Sequence, residues 1–136
     1  ELAANASQIA WQLDDSENQL LPKMQTDIML SQGNNILIID AKYYSHMTQQ
    51  QYRTNTLHSN NLYQIFTYVK NKEFELRELK HTVSGMILYA QTDEDVIPNN
   101  TYQMSGNQIS VRALNLNQDF SKISEDLNSI VKDNFS

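Results

Sequence analysis

The sequence predicts an α/β domain with a central mixed sheet flanked by helices. Three observations carry that reading. Two short apolar runs, "KMQTDIML" and "NILIIDAKYY", stand on either side of a Gly33-Asn34 turn and have the length and composition of strands. Two longer segments, 60–72 and 120–135, repeat apolar residues at spacings of three and four. Further strand-like runs surround them, which gives an approximate order αβββαβββα. At 136 residues the chain makes one domain, 1–136, with room for a hydrophobic core.

Taken in order, residues 1–6 read as the end of a helix. In "QIAWQLD", Ile9, Trp11 and Leu13 alternate with polar residues, as in a half-buried strand. "DSENQLLP" is a loop, and the two founding strands follow. "SHMTQQQYRTNT" is polar and shows no period, so it reads as a mobile loop. Ser59 is a good N-cap for the helix over 60–72, whose stripe is Leu62, Ile65, Phe66 and Val69. "FELRELKH" fits either helix or loop. "TVSGMILYA" is a strand and "TDEDVIPNN" a surface loop. "TYQMSGNQISVRALNL" forms a hairpin around Ser105-Gly106-Asn107. The closing helix places Ile123, Leu127, Ile130 and Val131 on one face.

Composition excludes several classes. No run of eighteen apolar residues exists, so there is no membrane span. Cysteine is absent, which removes disulfides, thiolate chemistry and cysteine zinc sites, and a reducing cytoplasm fits that. No charged-then-apolar stretch of the secretory kind is expected as a leader, and the first residue is Glu1, not Met, on what reads as the tail of a helix, so the expectation is a piece of a longer protein. A net charge of −6 argues against gripping nucleic acid by bulk electrostatics. Residues 42–81 nevertheless carry six Lys/Arg against three acids, together with His46, His58 and His81. Two readings of that block stay open: a solvated helix face, or a modest anion-facing side.

The hairpin concentrates the chemistry. Gly33 can take the positive φ that the first central position of a type II′ turn demands. The pairing that follows sets Gln32 against Asn35, Leu30 against Leu37 and Ile28 against Ile39. Continued outward, it sets Asp27 against Asp40 and Gln25 against Lys42. Alternation then puts Gln25, Asp27, Asp40 and Lys42 on one face with Met29 and Ile38. Met24, Ile28, Leu30, Leu37, Ile39 and Ala41 take the other. Facing carboxylates with β-carbons ~5 Å apart repel, unless they share a proton or a cation sits between them. An oxygen-only ligand set suits Mg²⁺ or Mn²⁺, and the Lys42 ammonium beside it can stabilise a developing anion. Acid, acid, lysine and metal together point to phosphodiester hydrolysis. The alternative is an Asp40–Lys42 surface ion pair at a strand end, and a slip of one residue would part the two acids.

The spacing, "TD" at Thr26-Asp27 and "DAK" at Asp40-Ala41-Lys42, resembles that of the PD-(D/E)XK nuclease superfamily. In "QIFTY", Gln64 and Tyr68 lie one helical turn apart, and this resembles the RecB-like branch. "LLPKMQTDI", "LIIDAKYY" and "HSNNLYQIFTY", taken in order, are similar to the C-terminal nuclease domain of McrC, the endonuclease subunit of modified-cytosine-dependent McrBC restriction systems. The later "GMILYA" strand and the closing helix are similar too, so the resemblance runs from about Ser7 to the end. Thr26 stands where the superfamily's nominal Pro would be, with Pro22 upstream, and only Glu1 is available as an additional earlier acid.

The resemblance implies a restriction-endonuclease-like fold and a Mg²⁺-dependent DNA endonuclease. Asp27 and Asp40 would be metal ligands together with the Ala41 carbonyl, and Lys42 the catalytic lysine. Gln64 and Tyr68 would support the site or contact the DNA backbone. His58 and Asn61, at the helix start, either face a phosphate with the helix N-terminus or cap the helix. The implied partners are double-stranded DNA containing modified cytosine and a McrB-like AAA+ GTPase that delivers it. The ring-inserting part of McrC lies N-terminal to such a domain, so this chain alone should not stimulate GTP hydrolysis. Two other readings are a catalytically silent assembly module and a stand-alone RecB-like nuclease. The acid pair speaks against the first, and the McrC-like phrases against the second.

Overall fold

The computed structural model describes residues 2–15, 20–43, 48–51, 54–57, 59–91 and 99–135. In chain order the elements are β1 (Leu2–Asn5), β2 (Gln8–Ile9), β3 (Met24–Gln25), β4 (Ile28–Gln32), β5 (Asn35–Tyr43), β6 (Thr48–Gln51), β7 (Thr54–Leu57), α1 (Ser59–Glu75), β8 (Thr82–Gln91), β9 (Asn100–Met104), β10 (Asn107–Asn115) and α2 (Phe120–Phe135). Six strands form the central sheet in the order β1-β4-β5-β8-β10-β9. The β5–β8 and β8–β10 pairs are parallel and the outer pairs antiparallel, so the sheet is mixed.

The β4–β5 register is the one the turn implied. Gly33 sits at φ 63°, and Gln32 pairs with Asn35, Leu30 with Leu37 and Ile28 with Ile39. Because side chains alternate along a strand, β5 feeds two cores. Ile36 and Ile38 join Met29, Val83, Ile87, Tyr89, Ile109 and Val111 under α1, which contributes Ile65, Tyr68 and Val69. Leu37 and Ile39 join Leu30, Met86, Leu88 and Leu114 under α2, which contributes Ile130 with Ile123, Val131 and Phe135 at the margin. The α1 stripe packs as expected, whereas Leu127 of α2 stays 40% exposed.

Gly85 lets α1 lie close on β8. A β-carbon there would stand 2.8 Å from both Ile65 Cγ1 and Val69 Cγ2, and both side chains are β-branched and stiff on a helix. Gly→Ala at a relaxed position stabilises by about 0.4–1 kcal/mol through the unfolded chain, whereas overpacking costs ~1–3 kcal/mol. The clash therefore wins, and Gly85→Ala is expected to lower the urea midpoint by the equivalent of ~1–2 kcal/mol with an unchanged m-value.

Several elements depart from the sequence reading. The described part of 1–6 does not end a helix. Leu2–Asn5 instead forms edge strand β1, antiparallel to β4, since the free edge of β4 outweighs the helix preference of two alanines. "QIAWQLD" keeps only Gln8–Ile9 as strand. Trp11 still packs on the α1-side core and donates its indole N–H to the Pro22 carbonyl at 2.7 Å. The polar stretch 45–56, expected as a loop, carries strand β6 (Thr48–Gln51) and most of β7 (Thr54–Leu57), which pair antiparallel. A ladder of backbone bonds with no apolar alternation leaves no period to detect. Helix α1 begins at Ser59 and runs on to Glu75, three residues beyond the expected end. The β9–β10 turn has Ser105 at φ 51° and Gly106 at φ 88°, the two positive values of a type I′ turn. Most of "TDEDVIPNN", 92–98, lies outside the described residues.

The departure that matters most is in "KMQTDIML", which is two strands with a break at Thr26-Asp27. Paired residue numbers total 34 along β1 and β4 but 33 along β2 and β3. One extra residue has therefore entered the second strand opposite Ser7, which defines a β-bulge. A bulge inverts the alternation. Met24 packs with Met29 under α1, not with Leu30 under α2 as a continuous strand would have it. For the same reason Gln25 pairs with Gln8 and not with Lys42.

Candidate active site

Beyond Ile28 and Ile39 the β4–β5 ladder has no further pair. In a two-residue hairpin the closing pair and every second pair exchange both backbone bonds, so the next such pair would be Ala41 with Thr26. The bulge takes Thr26 away, and its N–H donates to Ser7 O at 2.8 Å. Asp27 fills the gap. Its Oδ2 accepts the Ala41 N–H at 2.9 Å, which brings the side chain to β5 beside Asp40. By the same alternation the Ala41 carbonyl loses the donor that Thr26 would have supplied.

Asp40 and Lys42 project from the α1 face of β5, the face of Ile36 and Ile38. Asp40 is 4% exposed. Lys42 Nζ lies 3.1 Å from Asp40 Oδ2 and donates to Gln64 Oε1 at 3.1 Å. Gln64 Nε2 donates in turn to the Tyr68 hydroxyl at 2.9 Å. Helix spacing makes that relay possible, since Gln64 and Tyr68 are four residues apart on the α1 face turned to the sheet. Burial pushes the Asp40 carboxyl above the usual carboxylate range. The Lys42 ammonium draws it back part of the way, and the neighbouring Asp27 pushes it up further.

The structure thus gathers Asp27, Asp40, Ala41, Lys42, Gln64 and Tyr68. It does not put Asn61 at the helix cap. Asn61 is 5% exposed and donates to the Tyr89 hydroxyl at 3.0 Å. His58 lies outside the described residues. Tyr89 is the residue that sequence reasoning missed. It is fully buried on β8, directly beside Lys42 in the parallel register. The alternation Gly85, Ile87, Tyr89 was visible, but the pairing of β8 with β5 was not. Asn61→Ala and Tyr89→Phe are each expected to cost about 1 kcal/mol in urea unfolding. The double variant should cost clearly less than the sum, because both remove one shared bond.

The basic block around α1 is largely tied up locally. Lys70 pairs with Glu73, Lys72 pairs with Glu75, and Arg77 lies 4.2 Å over the Phe74 ring. An open hollow of about 490 Å³ lined by Lys70, Glu73, Phe74, Arg77 and His81 lies at that end of α1, away from the acids. The solvated-face reading of these charges fits.

Two carboxylates and a carbonyl form an oxygen-only donor set. Among the described residues no cluster of three or more His, Cys, Asp or Glu exists. Mg²⁺ does not require one, because it is commonly held by one or two carboxylates and keeps several waters. Asp40 Oδ2 favours the fit. It is buried and has no well-angled hydrogen bond among the described residues, only the Lys42 charge at 3.1 Å. The donor set therefore fits a small hard cation, which Asp27, Asp40 and the Ala41 carbonyl would hold.

A mixed sheet with a helix on each face, carrying acid, acid and lysine where two adjacent strands diverge, is the restriction-endonuclease-like architecture. The family model described as McrBC 5-methylcytosine restriction system component matches residues 3–90, and the chain belongs to that family. It is also 33% identical over 115 residues to the type IV methyl-directed restriction enzyme EcoKMcrBC of Escherichia coli strain K12. That match covers 85% of this chain and 32% of the relative, so the chain spans about a third of the relative's length. No helix among the described residues is long and apolar enough to cross a membrane.

Proposed function

We propose that this chain is the nuclease domain, 1–136, of an McrC-like subunit, and that it hydrolyses DNA phosphodiester bonds with Mg²⁺ held by Asp27, Asp40 and the Ala41 carbonyl. The observation that carries the reading is the convergence of two carboxylates and the Lys42 ammonium on one sheet face, with Asp40 Oδ2 buried and lacking a well-angled bond. Unrelieved, that pairing opposes folding, and a cation would turn the repulsion into binding. The chemistry such an ion supplies is charge neutralisation at a phosphate oxygen and a lowered pKa for water. The chain's own residues do the rest. Lys42 places a fixed positive charge beside the acids, where negative charge develops on a phosphate under attack. Gln64 and Tyr68 hold that ammonium in position through the relay.

The proposed substrate is duplex DNA containing modified cytosine, delivered by a McrB-like GTPase, in keeping with the family and with the methyl-directed relative. A net charge of −6 gives the chain little grip on DNA of its own, which suits delivery by a partner. The test is cleavage of methylated DNA by a complete subunit carrying this sequence, with its GTPase and GTP. Cutting should require Mg²⁺, persist in part with Mn²⁺, stop with chelator and spare unmethylated DNA. Full cutting in excess chelator contradicts the proposal.

A further inference from the structure

The bulge that delivers Asp27 is fastened by one side chain. Thr26 is 2% exposed, and its hydroxyl engages both backbone groups of Ser7. It accepts the Ser7 N–H at 3.0 Å and donates to the Ser7 carbonyl at 3.0 Å. The same carbonyl also accepts the Thr26 N–H at 2.8 Å. In a regular ladder the Ser7 N–H would go to a backbone carbonyl, but here the extra residue has displaced that acceptor and the hydroxyl replaces it. Ser7 is the point at which one chain passes from β1 to β2, and Thr26-Asp27 the point at which the other passes from β3 to β4. Both chains change sheets at one place, and the Thr26 hydroxyl locks that place.

Asp27 is the next residue. Its own contact with the sheet is the Ala41 N–H at 2.9 Å, made across the gap the bulge opened. If the bulge loosens, the Asp27 backbone is no longer fixed beside β5, and its carboxylate comes off the Ala41 N–H and away from Asp40. We propose that Thr26 is a positioning residue: its hydroxyl, locked to Ser7, holds the bulge that keeps the Asp27 carboxylate on Ala41 and facing Asp40. The role in metal binding rests on the function proposed above, whereas the role in placing Asp27 does not.

Thr26→Val keeps the shape and the β-branch and removes only the hydroxyl, while Thr26→Ser keeps the hydroxyl. Two readouts on the 136-residue chain separate the claims. The first needs no metal. Amide exchange at Ala41 should quicken by about tenfold or more in Thr26→Val, with Ile38 and Ile87 of the same sheet unchanged, and Thr26→Ser should match the wild type. The second is Mn²⁺ affinity by calorimetry, which should fall about 10-fold or more in Thr26→Val and little in Thr26→Ser. Wild-type protection of Ala41 in Thr26→Val overturns the inference, as does equal loss in both variants. Should Thr26→Val fail to fold, Thr26→Ala gives the same readings without a methyl facing the Ser7 carbonyl. If the wild-type chain binds no Mn²⁺, the metal reading fails, and the positioning claim is decided by the Ala41 amide alone.

Discussion

Lys42→Ala is expected to reduce cleavage of methylated DNA, by a complete subunit carrying this sequence with its GTPase partner, about 10²–10³-fold or more, the usual effect of removing one aligned electrostatic group. That corresponds to ~2.7–4 kcal/mol of transition-state stabilisation. Nothing in the described site can substitute. Gln64 is neutral, Tyr68 presents a hydroxyl already engaged by Gln64, and Lys70 is occupied with Glu73. Lys42→Arg should rescue poorly, because the single Nζ sits between Asp40 Oδ2 and Gln64 Oε1, and a planar five-donor fork does not reproduce that point charge. The melting temperature should fall by a few degrees, because losing Lys42 pushes the Asp40 carboxyl still further up, and proton uptake by Asp40 limits the cost without removing it. Undiminished cutting by Lys42→Ala would remove this residue from the mechanism.

Asp40→Asn is expected to do two opposite things. It should abolish cleavage and remove Mg²⁺-induced stabilisation, and it should raise the melting temperature of the metal-free chain at pH 7 by a few degrees. The stabilising half follows from linkage. The folded chain binds the Asp40 proton more readily than the unfolded chain does, because burial, with Asp27 adding to it, outweighs Lys42. At pH values above the folded pKa both states carry the charge, and the fold bears the full penalty. Lowering the pH through that pKa relieves the penalty, and the relief is complete below the unfolded value near ~3.9. The difference in stability between Asp40→Asn and wild type should therefore be largest near neutral pH and shrink with acid. Other carboxylates contribute slopes of their own, such as Asp126, which Gln118 and Lys122 hold below its ordinary range. They are common to both proteins and cancel in the difference. Added Mg²⁺ should reverse the order, with wild type gaining stability and the variant gaining none. If Asp40→Asn melts below the metal-free wild type, the acid pair is not the strained arrangement proposed for it.

Much of the site could be read before any coordinates, for identifiable reasons. A Gly33-Asn34 turn fixes a two-residue hairpin, and a hairpin fixes which residues face one another, so the approach of Asp27 to Asp40 followed from counting. Gln64 and Tyr68 followed from helical spacing. What escaped was set by contacts between distant segments. "LAAN" favours a helix by propensity and became a strand because β4 offered an unpaired edge. The break at Thr26-Asp27 depends on a hydroxyl meeting Ser7, nineteen residues away, and no periodicity reports such a bond. A continuous strand would have delivered Asp27 to the same face, so the placement of Asp27 came out right while Met24 and Gln25 came out wrong. Tyr89 beside Lys42 needed the parallel register between β5 and β8, which a crossover through α1 creates and local sequence does not encode.

The central claim is that two acids from neighbouring strands, one backbone carbonyl and an ammonium surround a single small cation. Crystals of the chain soaked in Mn²⁺ and measured at the manganese absorption edge test it most directly. The expected result is an anomalous peak in contact with Asp27, Asp40 and the Ala41 carbonyl, with Lys42 Nζ beside it and still on Gln64. A peak elsewhere, or crystals that hold Mn²⁺ only at surface acids while the Asp40 carboxyl stays closed on Lys42, would contradict it.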